Sequence, residues 1–116
     1  CAAPGNKTTQ LAALVGPTGR VFAIEKDPRR FATLTSMVKR AKADRIVECH
    51  NRDFLALDVT LEKYRRVECA LVDPSCSGSG MPLSLEKHVE RPREATSTER
   101  LEALANFQAM AMKKAM

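Results

Sequence analysis

Three short apolar runs, separated by helix-like stretches, are the feature that most constrains the fold of this chain. They are residues 20–24 (RVFAI), 45–49 (RIVEC) and 67–72. Each is bounded by charged or turn-forming residues, which is typical of short buried strands. Because each connection has the length of a crossover, the pattern predicts βαβ units in a parallel, doubly wound sheet. The 116 residues fit one α/β domain.

Capping signals predict the first two helices. The first begins at Asn6 or Lys7 and runs to residue 15, where Gly16 and the following proline end it. In the second, Asp27 is the N-cap and Pro28 occupies the first helical position. Its apolar side is predicted to consist of Phe31, Leu34, Val38 and Ala41.

The remaining segments give weaker signals. Residues 54–61 favour a loop with one helical turn, and most of 82–98, which is charged and contains prolines, favours a mobile surface loop. Thr96 and Glu99 form a capping-box pattern that predicts a final amphipathic helix. The apolar positions of that helix are Leu101, Leu104, Ala105, Ala111, Met112 and Ala115.

An acidic residue follows each predicted strand: Glu25, Asp53 and Asp73. Acids at strand ends are often only caps or turn formers, and for any one of them this is the simpler interpretation. However, Glu25 comes about 20 residues after Gly5, the offset at which nucleoside-binding folds place an acid for the ribose hydroxyls. Gly5 also precedes a helix start, which favours anionic groups. Three acids in series beside such a loop favour a nucleoside site.

The segment Asp73-Pro74-Ser75-Cys76-Ser77-Gly78-Ser79-Gly80 places an acid and a thiol directly after the third run. Open parallel sheets bind ligands beyond the carboxyl ends of their strands, so both groups are candidates for chemistry. The alternative is a strand-ending turn followed by a small buried cysteine and a flexible glycine loop.

Two other motifs are less convincing. Pro4-Gly5-Asn6-Lys7-Thr8 is similar to a P-loop but lacks its first glycine, which disfavours a nucleotide hydrolase. Cys49 and His50 are adjacent, and neighbouring residues on a strand point to opposite faces. We therefore interpret Cys49 as a core residue and His50 as turn surface.

Two motifs together resemble the Sun-type (NSUN) RNA cytosine-5 methyltransferases. They are Cys1-Ala2-Ala3-Pro4-Gly5-Asn6-Lys7-Thr8 and the segment 73–80, with Glu25 and Asp53 between them. Asn6 and Ser75 make the chain most similar to the fifth NSUN type, which modifies large-subunit ribosomal RNA of eukaryotes. The resemblance implies a partial Rossmann-like methyltransferase fold, truncated at both ends, with residues 1–116 a fragment of one catalytic domain.

The resemblance also implies an S-adenosylmethionine site. The loop from Cys1 to Lys7 would surround the methionine moiety, Glu25 would bind the ribose, and Asp53 would bind the adenine edge. Arg30 matches a further cofactor-contact position, and Asp73 would face both the methyl group and the target base. The implied cofactor residues are Cys1, Ala2, Ala3, Pro4, Gly5, Asn6, Lys7, Glu25, Arg30, Asp53 and Asp73.

In this family one cysteine thiolate attacks carbon-6 of the cytosine and a second assists release of the adduct. Cys76 matches the release cysteine, and Asp73 and Cys76 are the predicted catalytic residues. The attacking cysteine belongs to a later Thr-Cys motif that this sequence does not include. We therefore expect the fragment alone to be inactive.

The expected partner is RNA, in keeping with the formal charge of +5. No apolar run approaches the ~20 residues of a membrane span, and the four cysteines lack the spacing of a zinc site, so neither a membrane nor a metal is predicted. The expected location is intracellular, in the nucleus or nucleolus if the source is a eukaryote. The alternatives are a non-catalytic RNA-binding or ribosome-assembly module with the same fold, and a small-molecule or protein methyltransferase.

Overall fold

The computed structural model describes residues 1–77 and 97–116, which form parts of two compact units, Cys1–Asp73 and Pro74–Met116. The first unit alternates helices and strands, as the sequence predicts. Its elements are α1 (Asn6–Val15), β1 (Val21–Glu25), α2 (Pro28–Arg40), β2 (Val47–Asn51) and a 3-10 turn (Glu62–Tyr64). The second unit contains α3 (Thr98–Ala115).

The two strands pair in parallel, from Val21 opposite Val47 to Glu25 opposite Asn51. This confirms the predicted α/β class and parallel sheet, with β1 one residue and β2 two residues later than predicted. Paired residues of parallel strands share a face, and neighbours along a strand alternate between faces. Ala23 accordingly lies in the buried core, whereas Phe22 and His50 belong to the opposite face.

The predicted third strand, residues 67–72, is wrong: the segment has no strand structure. Val67 and Leu71 are about half exposed, and in the described residues the sheet consists of β1 and β2 alone. A strand requires hydrogen bonds to a neighbouring strand, and in doubly wound sheets successive strands are not always neighbours. An apolar run can therefore carry strand character in its sequence without finding a partner.

The core lies where α1 and α2 pack on the sheet. Asp27 caps α2 by accepting a hydrogen bond from the Arg30 amide at 2.8 Å, which confirms the predicted start. Leu34 and Val38 are almost fully buried, as predicted. Ala41 is exposed, because the helix ends at Arg40 and the chain turns there, and Ala43 is the residue buried instead. The remaining core residues are Ala3, Ala12, Ala23 and Val47.

Helix α3 begins one residue later than its predicted capping box implies. Ser97 is the N-cap, and its hydroxyl accepts a hydrogen bond from the Arg100 amide at 3.3 Å. Of the predicted apolar positions, Ala111 is buried, whereas Leu101 and Met112 are exposed. Within the same unit the Gln108 amide donates to the Ser75 carbonyl at 3.0 Å. Thr96 and nearly all of the loop predicted for 82–98 lie outside the described residues.

None of the helices within residues 1–77 and 97–116 is both long and apolar enough to cross a membrane. All four cysteines are free, and Cys69 and Cys76 are exposed. The helical turn expected within 54–61 occurs just after it, at Glu62–Tyr64.

Candidate functional site

Glu25, the last residue of β1, anchors the opening loop of the chain. Its carboxylate accepts hydrogen bonds from the Ala3 amide at 3.2 Å and from the Asp27 amide at 3.0 Å, and the residue is 3% exposed. Burial acts to raise the pKa of Glu25, but these two hydrogen bonds act together with nearby positive charge, including Arg30, to lower it, and the pKa lies below its ordinary value. A buried, charged acid thus holds the loop against the carboxyl end of the sheet.

Three further contacts fix the same loop. The Ala2 amide donates to the Ile24 carbonyl at 3.0 Å, and the Thr8 hydroxyl donates to the Ala2 carbonyl at 3.4 Å. The Arg30 guanidinium donates to the Ala3 carbonyl at 2.8 Å. The structure therefore brings Arg30, Glu25 and the predicted loop together, with Arg30 as a support of the loop backbone.

Gly5 makes the tight entry from this loop into α1. Its φ of +115° is a conformation that L side chains rarely adopt. A Cβ at this position would also lie 3.1 Å from Leu34 Cδ1 and 3.2 Å from Met37 Cγ. Because glycine offers no capping side chain, the amides of the first turn of α1 remain suited to an anionic ligand group.

Asp53 follows β2 and is held by two donors. Its carboxylate accepts from Lys26 Nζ at 2.7 Å and from the Leu55 amide at 2.9 Å. The Lys26 hydrogen bond, followed by the Leu55 one, lowers the pKa of Asp53. About a third of the Asp53 side chain is exposed, so it is more accessible to a ligand than Glu25 is.

Asp73 is the most open of the three acids. It forms an ion pair with Lys7 at 2.6 Å, and both side chains are more than half exposed. The pair joins the first predicted motif to the second within the unit Cys1–Asp73, although their residues are 66 positions apart. Cys76 belongs to the unit Pro74–Met116, where it is exposed.

Sequence reasoning missed two residues at the strand ends. The Asn51 side chain donates to the carbonyls of Glu25 and Lys26, at 2.8 and 3.0 Å, and so ties the end of β2 to the end of β1. Lys26 is the partner of Asp53. The only sequence signal was their position directly at the strand ends, which does not reveal the pairing.

The interpretation of His50 as turn surface is wrong. His50 lies within β2, stacks on Phe22 at a centroid distance of 6.2 Å, and contacts the Glu48 carboxylate at 2.9 Å. Burial, followed by the Lys63 charge, lowers the pKa of His50 against the opposing effect of Glu48. Cys49 is half-buried against the core as predicted, and burial raises the pKa of its thiol.

A pocket of about 550 Å³ lies beside Asp53 on the Phe22 side of the sheet. His50, Lys63 and Tyr64 line it together with Asp53, and Glu25 does not. Among the described residues no group of three or more histidine, cysteine or acidic side chains is arranged to hold a metal ion.

A sequence comparison supplies the family. The model of the family "16S rRNA methyltransferase RsmB/F" matches residues 1–113 of this chain, nearly its whole length. The chain belongs to this family. Its resemblance to NSUN-type methyltransferases and its partial Rossmann-like fold are thereby confirmed.

Several individual relatives are named as methyltransferases of 25S or 28S rRNA. A 28S rRNA (cytosine-C(5))-methyltransferase from Mus musculus is 44% identical over 97% of the chain, and the 25S rRNA (cytosine-C(5))-methyltransferase rcm1 from Schizosaccharomyces pombe is 43% identical over all of it. The 25S rRNA (cytosine-C(5))-methyltransferase NSUN5 from Arabidopsis thaliana is 37% identical. The chain spans 23%, 25% and 21%, respectively, of the lengths of these relatives.

Proposed function

We propose that residues 1–116 are part of one catalytic domain of a longer protein, an S-adenosylmethionine-dependent rRNA cytosine-5 methyltransferase. The observation that carries the proposal is the closure of the loop Cys1–Gly5 onto Glu25 at the end of β1, beside the start of α1. The names of the relatives add the substrate class, since several are cytosine-C(5) methyltransferases of large-subunit rRNA.

The residues at the strand ends fit S-adenosylmethionine in their chemistry. Glu25 uses two amide donors, and a carboxylate has about four lone-pair sites, so acceptor positions remain for ribose hydroxyls. Asp53 is an accessible acceptor for the adenine amino group, and the free amides at the start of α1 suit the methionine carboxylate. When bound, the cofactor would supply the methyl group.

The remaining predicted cofactor residues have supporting roles in this proposal. Arg30 keeps the Ala3 carbonyl in place, so that the backbone of the loop can surround the methionine moiety. Lys7 orients the Asp73 carboxylate, which is exposed enough to meet both the methyl group and a target base.

For Cys76 we propose the release role. Its exposed thiol fits a residue that acts on a bound nucleotide. The attacking cysteine would come from a part of the protein beyond this chain. In the full-length protein, Cys76→Ala should trap a covalent protein–RNA adduct, seen as a slowly migrating band on a denaturing gel. Normal turnover without that band would argue against the role.

The proposed substrate is large-subunit ribosomal RNA, and the proposed location is intracellular, in the nucleolus of a eukaryotic cell. The test is incubation of the full-length protein with large- and small-subunit rRNA transcripts and methyl-labelled S-adenosylmethionine. We expect labelled 5-methylcytosine in the large-subunit transcript. Label on no RNA, in a protein that binds the transcript, would support a non-catalytic RNA-binding or assembly role instead.

A further inference from the structure

A cluster on the sheet face opposite Glu25 has no part in the function proposed above. It consists of Phe22 on β1, Glu48 and His50 on β2, and Lys63 and Tyr64 on the 3-10 turn, and we call it the clamp. Because Phe22, Glu48 and His50 alternate with the core-facing residues of their strands, their side chains lie away from the core.

The clamp combines ionic and aromatic contacts. Glu48 accepts from Lys63 Nζ at 3.2 Å and lies 2.9 Å from His50 Nε2. Tyr64 packs edge-on against Phe22 at 5.0 Å, and Lys63 Nζ lies 5.0 Å from the Tyr64 ring centroid. Burial acts to raise the pKa of Glu48, but the hydrogen bond and charge of Lys63 oppose it, and the pKa is lowered.

These contacts fasten the far end of the loop that begins with Asp53. The loop, residues 52–61, leaves β2 and ends at the 3-10 turn. Its near end is fixed by the Arg52 amide, which donates to the Glu25 carbonyl at 3.1 Å. The clamp fixes its far end, because Lys63 and Tyr64 belong to the turn and their partners belong to the sheet.

The clamp and Asp53 also face the same space. His50, Lys63 and Tyr64 line the pocket of about 550 Å³ on one side, and Asp53 lines it as well. The distance between the turn and the end of β2 therefore sets the width of the pocket beside the Asp53 carboxylate. Loss of the clamp would let the loop end move and leave Asp53 held by Lys26 and its own turn.

We propose that the clamp positions Asp53 to recognise the exocyclic amino group of adenine, with Lys63 and Glu48 as positioning residues that act through the loop 52–61. The inference rests on the proposed cofactor site and adds the device that makes it selective for the purine. A carboxylate discriminates by hydrogen bonding only if it is held within about 0.5 Å of the position that the bond requires.

The test compares two ligands in calorimetric titrations of the full-length protein. S-adenosylhomocysteine carries the amino group, and S-inosylhomocysteine carries a carbonyl in its place. We expect the wild type to bind the adenosyl compound at least tenfold more tightly. Lys63→Ala should weaken adenosyl binding about threefold to tenfold and leave inosyl binding nearly unchanged, so the preference falls.

Two matched variants complete the design. Arg65→Ala removes a cation from the end of the same turn, where Arg65 pairs with the exposed Glu62, and it should preserve the preference. Lys63→Arg retains the cation and should therefore keep the wild-type preference for the adenosyl ligand. An unchanged preference in Lys63→Ala, or an equal loss for both ligands, would overturn the clamp proposal. A wild type that binds neither ligand would instead overturn the cofactor site itself.

Discussion

Two acids of the candidate site, Glu25 and Asp73, are held in opposite ways. Glu25 is buried and gives both carboxylate oxygens to backbone amides. Asp73 is more than half exposed and is held by a lysine. Buried acceptors that satisfy backbone amides contribute strongly to stability, whereas exposed ion pairs contribute little.

Glu25 therefore serves mainly to hold the loop, whereas the Asp73 carboxylate is open to solvent and to a substrate. Glu25 shapes the loop that is proposed to surround the cofactor, so its replacement should change the fold locally before it changes chemistry. Asp73 has a carboxylate that a substrate can reach, so its replacement should change activity and leave the fold intact.

The largest effect on stability is expected for Glu25→Ala. The buried Ala3 amide and the partly buried Asp27 amide would lose their acceptor, at a cost of about 2–4 kcal/mol. Hydrogen–deuterium exchange of a peptide covering residues 1–15 in the full-length protein would report the loss as faster exchange. Glu62→Ala, at a highly exposed acid, is the control and should leave that peptide unchanged. Equal protection of that peptide in both variants would show that Glu25 does not hold the loop.

Gly5→Ala tests the loop that Glu25 holds. The positive φ and the close approach of Leu34 and Met37 predict a loss on the order of 1–3 kcal/mol, measured by chemical denaturation. Gly16→Ala reports backbone strain alone, because Gly16 has φ +70° and ψ −171°, a region essentially restricted to glycine, and no atom of the described residues other than its chain neighbours lies within 4 Å of the point that a Cβ would occupy there. A Gly5→Ala variant as stable as the wild type would contradict the crowding seen at Gly5.

The shifted pKa values of Glu25 and His50 predict how stability depends on pH. The folded-state pKa of Glu25 is depressed, so its contribution is present above the ordinary value of 4.5 and is lost as pH falls through the lower folded value. The depressed pKa of His50 means that the unfolded state binds its proton first, so stability already declines below about 6.5. Unfolding free energies measured from about pH 7.5 to about pH 2.5 should show both losses.

Two variants would assign these two losses of stability to residues. His50→Gln should reduce the loss that begins below about pH 6.5 and leave the loss at lower pH, whereas Glu25→Gln should reduce the loss at lower pH. If neither variant altered the profile, other groups would govern the acid sensitivity of the fold.

The smallest effect on stability is expected for Asp73→Asn. Loss of an exposed ion pair with Lys7 should cost less than about 1 kcal/mol. Methyl transfer by the full-length protein should nevertheless fall by about 100-fold or more, as is common when a group acting at the reaction centre is removed. Lys7→Ala should match its small change in stability. Full activity in Asp73→Asn would place this acid outside the chemistry.

The sequence predicted those features whose causes are local. The Asp27-Pro28 cap and the Gly16 stop act within a few residues, and both helices occur where these signals place them. Strand ends moved by one or two residues, because a short apolar run does not mark its own boundary. Residues 67–72 failed as a strand because strand structure depends on a partner elsewhere in the chain.

In the candidate site too, local features were predictable from the sequence and contacts between distant residues were not. The acids themselves were predictable from their places after apolar runs. Their partners were not, because the pairing of Lys26 with Asp53 and of Lys7 with Asp73 depends on how loops meet in the fold. The error over His50 has a similar origin, since the two-residue shift of β2 moved it from a turn into the strand.

The carboxyl ends of β1 and β2, with the loop before α1, form the proposed S-adenosylmethionine site. Calorimetric titration of the full-length protein with S-adenosylmethionine, comparing the wild type with a folded Glu25→Gln variant, tests it most directly. We predict a dissociation constant at least tenfold higher in the variant, because the amide nitrogen can accept neither from the backbone amide that it would face nor from a ribose hydroxyl. Equal affinity in the two proteins would mean that the cofactor does not bind at Glu25.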